Sequence, residues 1–157
     1  MKPEILKLSV VFLLFALIGA SCQNDDEEEL PPLKDKQLTV SEIKTQGCKD
    51  NLKSTDVERY IELKAEGENQ LRVKFINATL NCAGLDTTLA IINNEILKVT
   101  FIDYHLANCY CDFDLECVID SMEQRKYTAQ VSTPYEVTTF TFDYSKKLDT
   151  AIKISNN

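Results

Sequence analysis

Apolar side chains recur at every second position through much of the chain. Leu71, Val73 and Phe75 alternate with Gln70, Arg72 and Lys74; Phe113, Leu115, Cys117 and Ile119 alternate with Asp112, Asp114, Glu116 and Asp120. A period of two places one face of a strand in a core and the other in water. After Phe75 the apolar parity moves to Ile76, Ala78, Leu80 and Cys82, which predicts a bulge near Asn77. Asp86 to Ile92 and Glu95 to Tyr104 flank Asn93-Asn94, a pair that tolerates positive φ and predicts a tight hairpin turn. Tyr127, Ala129 and Val131 form another run that Pro134 ends, and Phe140, Phe142 and Tyr144 line the next. Ile152 and Ile154 close the chain, while Leu38, Val40 and Ile43 give only a weak strand near its start. Lys49-Asp50-Asn51 and Ser54-Thr55-Asp56 read as loop.

Residues 56–66 read in two ways. Thr55 with Glu58 resembles a capping box, and Val57, Ile61 and Ala65 fall at helical spacing. Ile61, Leu63 and Ala65 also alternate with Glu62, Lys64 and Glu66, and the strand is preferred because Glu66-Gly67-Glu68-Asn69 turns directly into the next clear one. About eight short strands separated by turns predict an all-β fold. The expected architecture is an antiparallel β-sandwich, immunoglobulin-like or similar, with a small β-barrel as the alternative.

The amino-terminal residues follow a different pattern. Lys2 and Lys7 precede Val10 to Ala20, an apolar or small run too short to span a bilayer, and Gly19-Ala20-Ser21 leads into Cys22. This arrangement resembles a bacterial lipoprotein signal peptide, although Gly19 stands where that family usually has Leu. The resemblance implies cleavage after residue 21 and acylation of Cys22, with a palmitate-type chain among those added. Asp25-Asp26-Glu27-Glu28-Glu29 follows, and it resembles the export signal of Bacteroidota surface lipoproteins. The expected organisation is a signal peptide over 1–21, an acidic and proline-containing tether over 22–36, and one β domain over 37–157. The implied location is the outer membrane, lipid-anchored and exposed at the cell surface, with its periplasmic face as the alternative. Two acyl chains on Cys22 would anchor the protein without a transmembrane helix.

Charge narrows the partners further. Removing Lys2, Lys7 and Glu4 with the leader takes the 17 basic and 25 acidic side chains to 15 and 24, net −9. Such a balance argues against nucleic acid and anionic lipid headgroups as partners. The expected partners are the membrane, through Cys22, and an unspecified protein or glycan ligand.

Five cysteines remain beyond Cys22: Cys48, Cys82, Cys109, Cys111 and Cys117. Export to an oxidising compartment makes disulfides the default, and an odd count leaves one thiol over. Cys117 lies between Leu115 and Ile119 on the apolar face of a strand, where a free cysteine acts as a small buried hydrophobe. It is therefore expected to be the free thiol. Cys109 and Cys111 share a strand face but are held apart, so each is expected to bond to Cys48 or Cys82, in an order the sequence does not set.

Ala107 to Cys117 is the most distinctive segment of the domain. An Asn-Cys-x-Cys-x-Phe-Asp-Leu stretch with the upstream pair Asn81-Cys82 resembles small uncharacterised Bacteroidota lipoproteins over residues 60–145. No activity comes with that resemblance. Thr87, Ser121 and Thr150 each follow Asp and precede Thr, Met or Ala, which resembles the Asp-Ser/Thr O-glycosylation signal of exported Bacteroidota proteins. Asp112, Asp114 and Glu116 lack the glycine of a calcium loop and read as the polar face of a strand. His105 is the sole histidine, so any Ser-His-Asp or Cys-His site would have to use it. The expectation is a non-catalytic envelope lipoprotein, a binding or structural module, with no catalytic residue, metal or cofactor. The alternative is an exported metal-binding protein or enzyme built on His105 with Cys109, Cys111 and Cys117.

Overall fold

The computed structural model describes residues 31–49, 57–105 and 107–154. The expected leader over 1–21, Cys22, the acidic run and the expected loop Ser54-Thr55-Asp56 lie outside the described residues. Ten strands are present among them: β1 (Lys36–Leu38), β2 (Val40–Lys49), β3 (Arg59–Glu66), β4 (Gln70–Asn81), β5 (Thr87–Asn93), β6 (Ile96–Ile102), β7 (Tyr110–Ile119), β8 (Arg125–Thr133), β9 (Glu136–Tyr144) and β10 (Asp149–Ile154). They form two five-stranded sheets, ordered β1-β5-β6-β8-β9 and β10-β3-β4-β7-β2. The sheets pack face to face as a β-sandwich, and neither closes into a barrel.

The alternating residues fill the space between the sheets. Ile61, Leu63, Leu71, Val73, Phe75 and Leu115 of one sheet meet Leu97, Val99, Phe101, Tyr127 and Val131 of the other, all at most 1% exposed. Residues 59–66 are strand, paired to β4 from Tyr60↔Ile76 to Glu66↔Gln70. The flip of parity in β4 is a bulge, with Asn77 at φ 58° and a register shift between Phe75 and Ala78 against β7. Asn77 is held there by bonds from its side chain to the Glu58 carbonyl and from its own N–H to Asp114.

Three expectations need correction. The two central residues of the β5–β6 hairpin are Asn94 and Glu95, at φ 49° and 64°, one position later than Asn93-Asn94. The Asp35 carboxylate fixes that turn by accepting from the Asn94 N–H at 2.8 Å. Second, the sandwich is not wholly antiparallel, because β8 pairs with β6 in parallel. The chain leaves β6, runs through β7 in the other sheet and returns, so two reversals give β8 the direction of β6. Third, the weak start is two strands, β1 and the ten-residue β2, which runs along the sheet edge beside β7. Its side chains are mostly exposed, so no apolar alternation marks it. Ahead of β1, Leu33 packs on the core, and Arg125 donates to the Pro31 carbonyl at 2.8 Å.

Candidate functional site

Four cysteines gather where β2, β4 and β7 meet. Cys48 bonds Cys111 and Cys82 bonds Cys109, with Cα atoms 5.2 and 5.6 Å apart. The two bridges touch, since Cys111 Sγ lies 3.2 Å from Cys82 Sγ. The first ties edge strand β2 to β7; the second ties the end of β4 to the loop that enters β7. Cys117 is unpaired and buried in the core, opposite Val73. Burial first, then the neighbouring Glu116 charge, pushes its thiol up to about 12. Almost no thiolate forms at neutral pH, and thiolate is the reacting form. We therefore expect alkylation of Cys117 only after unfolding, read by mass spectrometry of non-reduced peptides. Cys117→Val should change stability by less than about 1.5 kcal/mol. A disulfide-linked peptide containing Cys117 would contradict this.

Beside the bridges, Asn81 organises a polar cluster. It is 1% exposed. Its N–H and Nδ2 donate to the two oxygens of Asp103 at 3.1 and 2.6 Å, and Nδ2 also donates to the His105 carbonyl. Its Oδ1 accepts from the Ala83 N–H at 2.8 Å, shaping the loop in which Gly84 adopts φ 91°. Asp86 faces this group from the start of β5. Its backbone N–H donates to the Ile102 carbonyl at 2.9 Å, and its carboxylate accepts from the Tyr104 N–H at 2.5 Å. The His105 ring meets Asp86 through Nδ1, 3.0 Å from Oδ1.

Exposed rings surround the cluster. Tyr104, Tyr110 and Tyr135 are 73%, 64% and 46% exposed. Tyr110, at the start of β7, and Tyr135, in the Pro134-Tyr135 turn between β8 and β9, meet edge to face at 5.1 Å. Desolvation first, then the Asp103 charge, raises the Tyr135 hydroxyl above its ordinary value. Next along β4, the Glu136 carboxylate accepts from Arg59 and from the Thr79 N–H, clasping the two sheets together. Burial pushes Glu136 upward, and Arg59 offsets this only in part.

The polar face of β7 is paired rather than merely solvated. Lys49 donates to Asp114 at 2.6 Å, Thr79 donates to Asp112 at 3.1 Å, and Arg72, Lys44 and Lys74 all reach Glu116. Burial alone would raise Glu116, but these three cations together hold it below the usual carboxylate range. They line a shallow concavity of about 680 Å³ on the outer sheet face. Its charges are already matched to one another, so it offers little to an ionic ligand.

The alternative cluster of His105 with Cys109, Cys111 and Cys117 does not assemble. Two of those cysteines sit in different disulfides, the third is in the core, and the His105 ring turns to Asp86. Among the glycosylation candidates, Ser121 and Thr150 are exposed and Thr87 is half-buried. Asp86, Asp103 and Asn81 were not candidates on the sequence, because no local motif joins positions so far apart. The fold and this end together define a disulfide-stapled β-sandwich with an aromatic and carboxylate rim. No protein family, curated protein or solved structure matches the chain.

Proposed function

We propose that this chain is a non-catalytic lipoprotein of the bacterial outer membrane, anchored through acylated Cys22 and displaying a β-sandwich that binds an oligosaccharide at its stapled end. The observation that carries the binding part is the group of exposed rings, Tyr104, Tyr110 and Tyr135, around the fixed carboxylates Asp86 and Asp103. Large rings clustered in water mark a contact surface. Flat ring faces suit the C–H faces of sugars, and carboxylates held by backbone donors accept sugar hydroxyls. The anchoring part is supported by the apolar run, the small residues before Cys22 and the acidic residues after it. An enzymatic reading has less support, because among the described residues the His105 ring bonds only Asp86.

One experiment tests both parts. Cells making the full chain are separated by detergent partitioning and, intact, offered a panel of labelled oligosaccharides. Cys22→Ala should leave the detergent phase. Tyr110→Ala with Tyr135→Ala should keep partitioning but lose capture about tenfold, the scale of one lost stacking contact. Unchanged partitioning of Cys22→Ala overturns the anchor, and a panel without capture by the wild type overturns the oligosaccharide.

A further inference from the structure

Asp86, Asp103 and His105 each offer one ligand atom, and these atoms lie within 4.8 Å of one another. We infer that the three side chains form a site for one borderline divalent cation, Zn²⁺ in the first instance. The site goes beyond the oligosaccharide reading and does not depend on it.

Position is the first argument. Thr87 pairs with Ile102, so Asp86 and Asp103 are the next positions outward on two hydrogen-bonded strands. The Asp86 N–H to Ile102 carbonyl bond extends that ladder to the site itself. His105 follows Asp103 at two residues, and its backbone N–H donates to Asp103 Oδ1 at 3.1 Å. Two ligands therefore come from one strand exit and the third from the strand beside it. Tetrahedral zinc with oxygen and nitrogen ligands needs donor atoms about 3.4 Å apart. His105 Nδ1 and Asp86 Oδ1 already stand 3.0 Å apart, and the His105 side chain is 60% exposed, open to an incoming ion.

Orientation is the second. Metal-binding carboxylates are usually held by donors behind them. Here Asn81 grips both oxygens of Asp103, and Asn81 is itself buried with its amide fully engaged. The Tyr104 N–H holds Asp86. A carboxylate oxygen has two lone pairs: Asp103 Oδ1 spends both on Asn81 and His105, but Asp103 Oδ2 and Asp86 Oδ2 each accept one bond and keep a lone pair for a cation.

Charge is the third. Two other half-buried carboxylates are matched by a cation, Asp114 by Lys49 and Glu136 by Arg59. Among the described residues neither Asp86 nor Asp103 pairs with lysine or arginine, and His105 is the one basic group beside them. Two carboxylates with an imidazole favour a borderline cation over Ca²⁺ or Mg²⁺, which prefer oxygen alone. The thiols that would compete are bound in disulfides.

The test uses the mature chain with both disulfides intact, stripped by chelator and titrated with ZnCl₂ by calorimetry. The expected result is one Zn²⁺ per chain. His105→Ala and Asp86→Asn, whose side chains take no part in the core, should each weaken binding about tenfold or more with melting temperatures kept in the absence of metal. No binding by the wild type overturns the proposal. So does Zn²⁺ binding that both variants retain, or Ca²⁺ binding as tight as Zn²⁺.

Discussion

Replacing Cys82 and Cys109 together by serine should lower the unfolding free energy by about 3.5 kcal/mol, and replacing Cys48 with Cys111 by about 4 kcal/mol. The bridges span 27 and 63 residues, and the shorter lies inside the longer. Each restricts the unfolded chain, and the restriction grows slowly with the length enclosed. Both partners must be replaced at once. With Cys82 and Cys111 sulfurs 3.2 Å apart, a single replacement leaves a thiol within reach of the surviving bridge. Urea unfolding followed by circular dichroism measures the loss. A change under about 1 kcal/mol for either pair would mean that the bridge does not form in the native protein.

Phe75→Ala should cost about 3–5 kcal/mol by the same measurement. Phe75 has no exposed surface, stands between Ile61 on β3 and Leu115 on β7, and lies under the Arg59 guanidinium at 5.8 Å. It is also the last residue before the Asn77 bulge. The backbone there is fixed by hydrogen bonds on both sides, so it cannot easily close over the cavity left behind. Phe75→Leu, which keeps most of the volume, should cost clearly less. Equal losses for the two variants would mean that strand register rather than packing sets the effect.

How far the sequence could be read follows from the same residues. Strands with one buried face declared themselves: Leu71 to Phe75 and Phe113 to Ile119 show the period of two, and even the bulge appears as a change of parity. β2 hid because its hold on β7 comes from backbone bonds, ion pairs and Cys48, not from apolar side chains. The parallel β6–β8 pair hid because strand order across two sheets leaves no local pattern. The candidate site turned on a single residue. With the turn at Asn93-Asn94, Asp86 would stand opposite Phe101. With it at Asn94-Glu95, each partner moves by two positions and Asp86 faces Asp103. Asn94 and Glu95 both take positive φ, which glutamate rarely does, so composition pointed to the wrong pair.

β2 has a consequence for how neighbouring copies behave. A long edge strand presents unpaired backbone groups and invites strand-to-strand addition between molecules, the first step of aggregation. β2 slips register against β7 twice, between Ser41 and Lys44 and between Gln46 and Lys49, near residues of positive φ at Glu42 and Gly47. The ladder it offers outward is therefore broken into short pieces. Lys44 and Lys49 stand on it, and the Cys48 bridge keeps it from peeling away as a loose, sticky ribbon. Crowded side by side, molecules of this protein meet along that edge a strand that does not readily accept another.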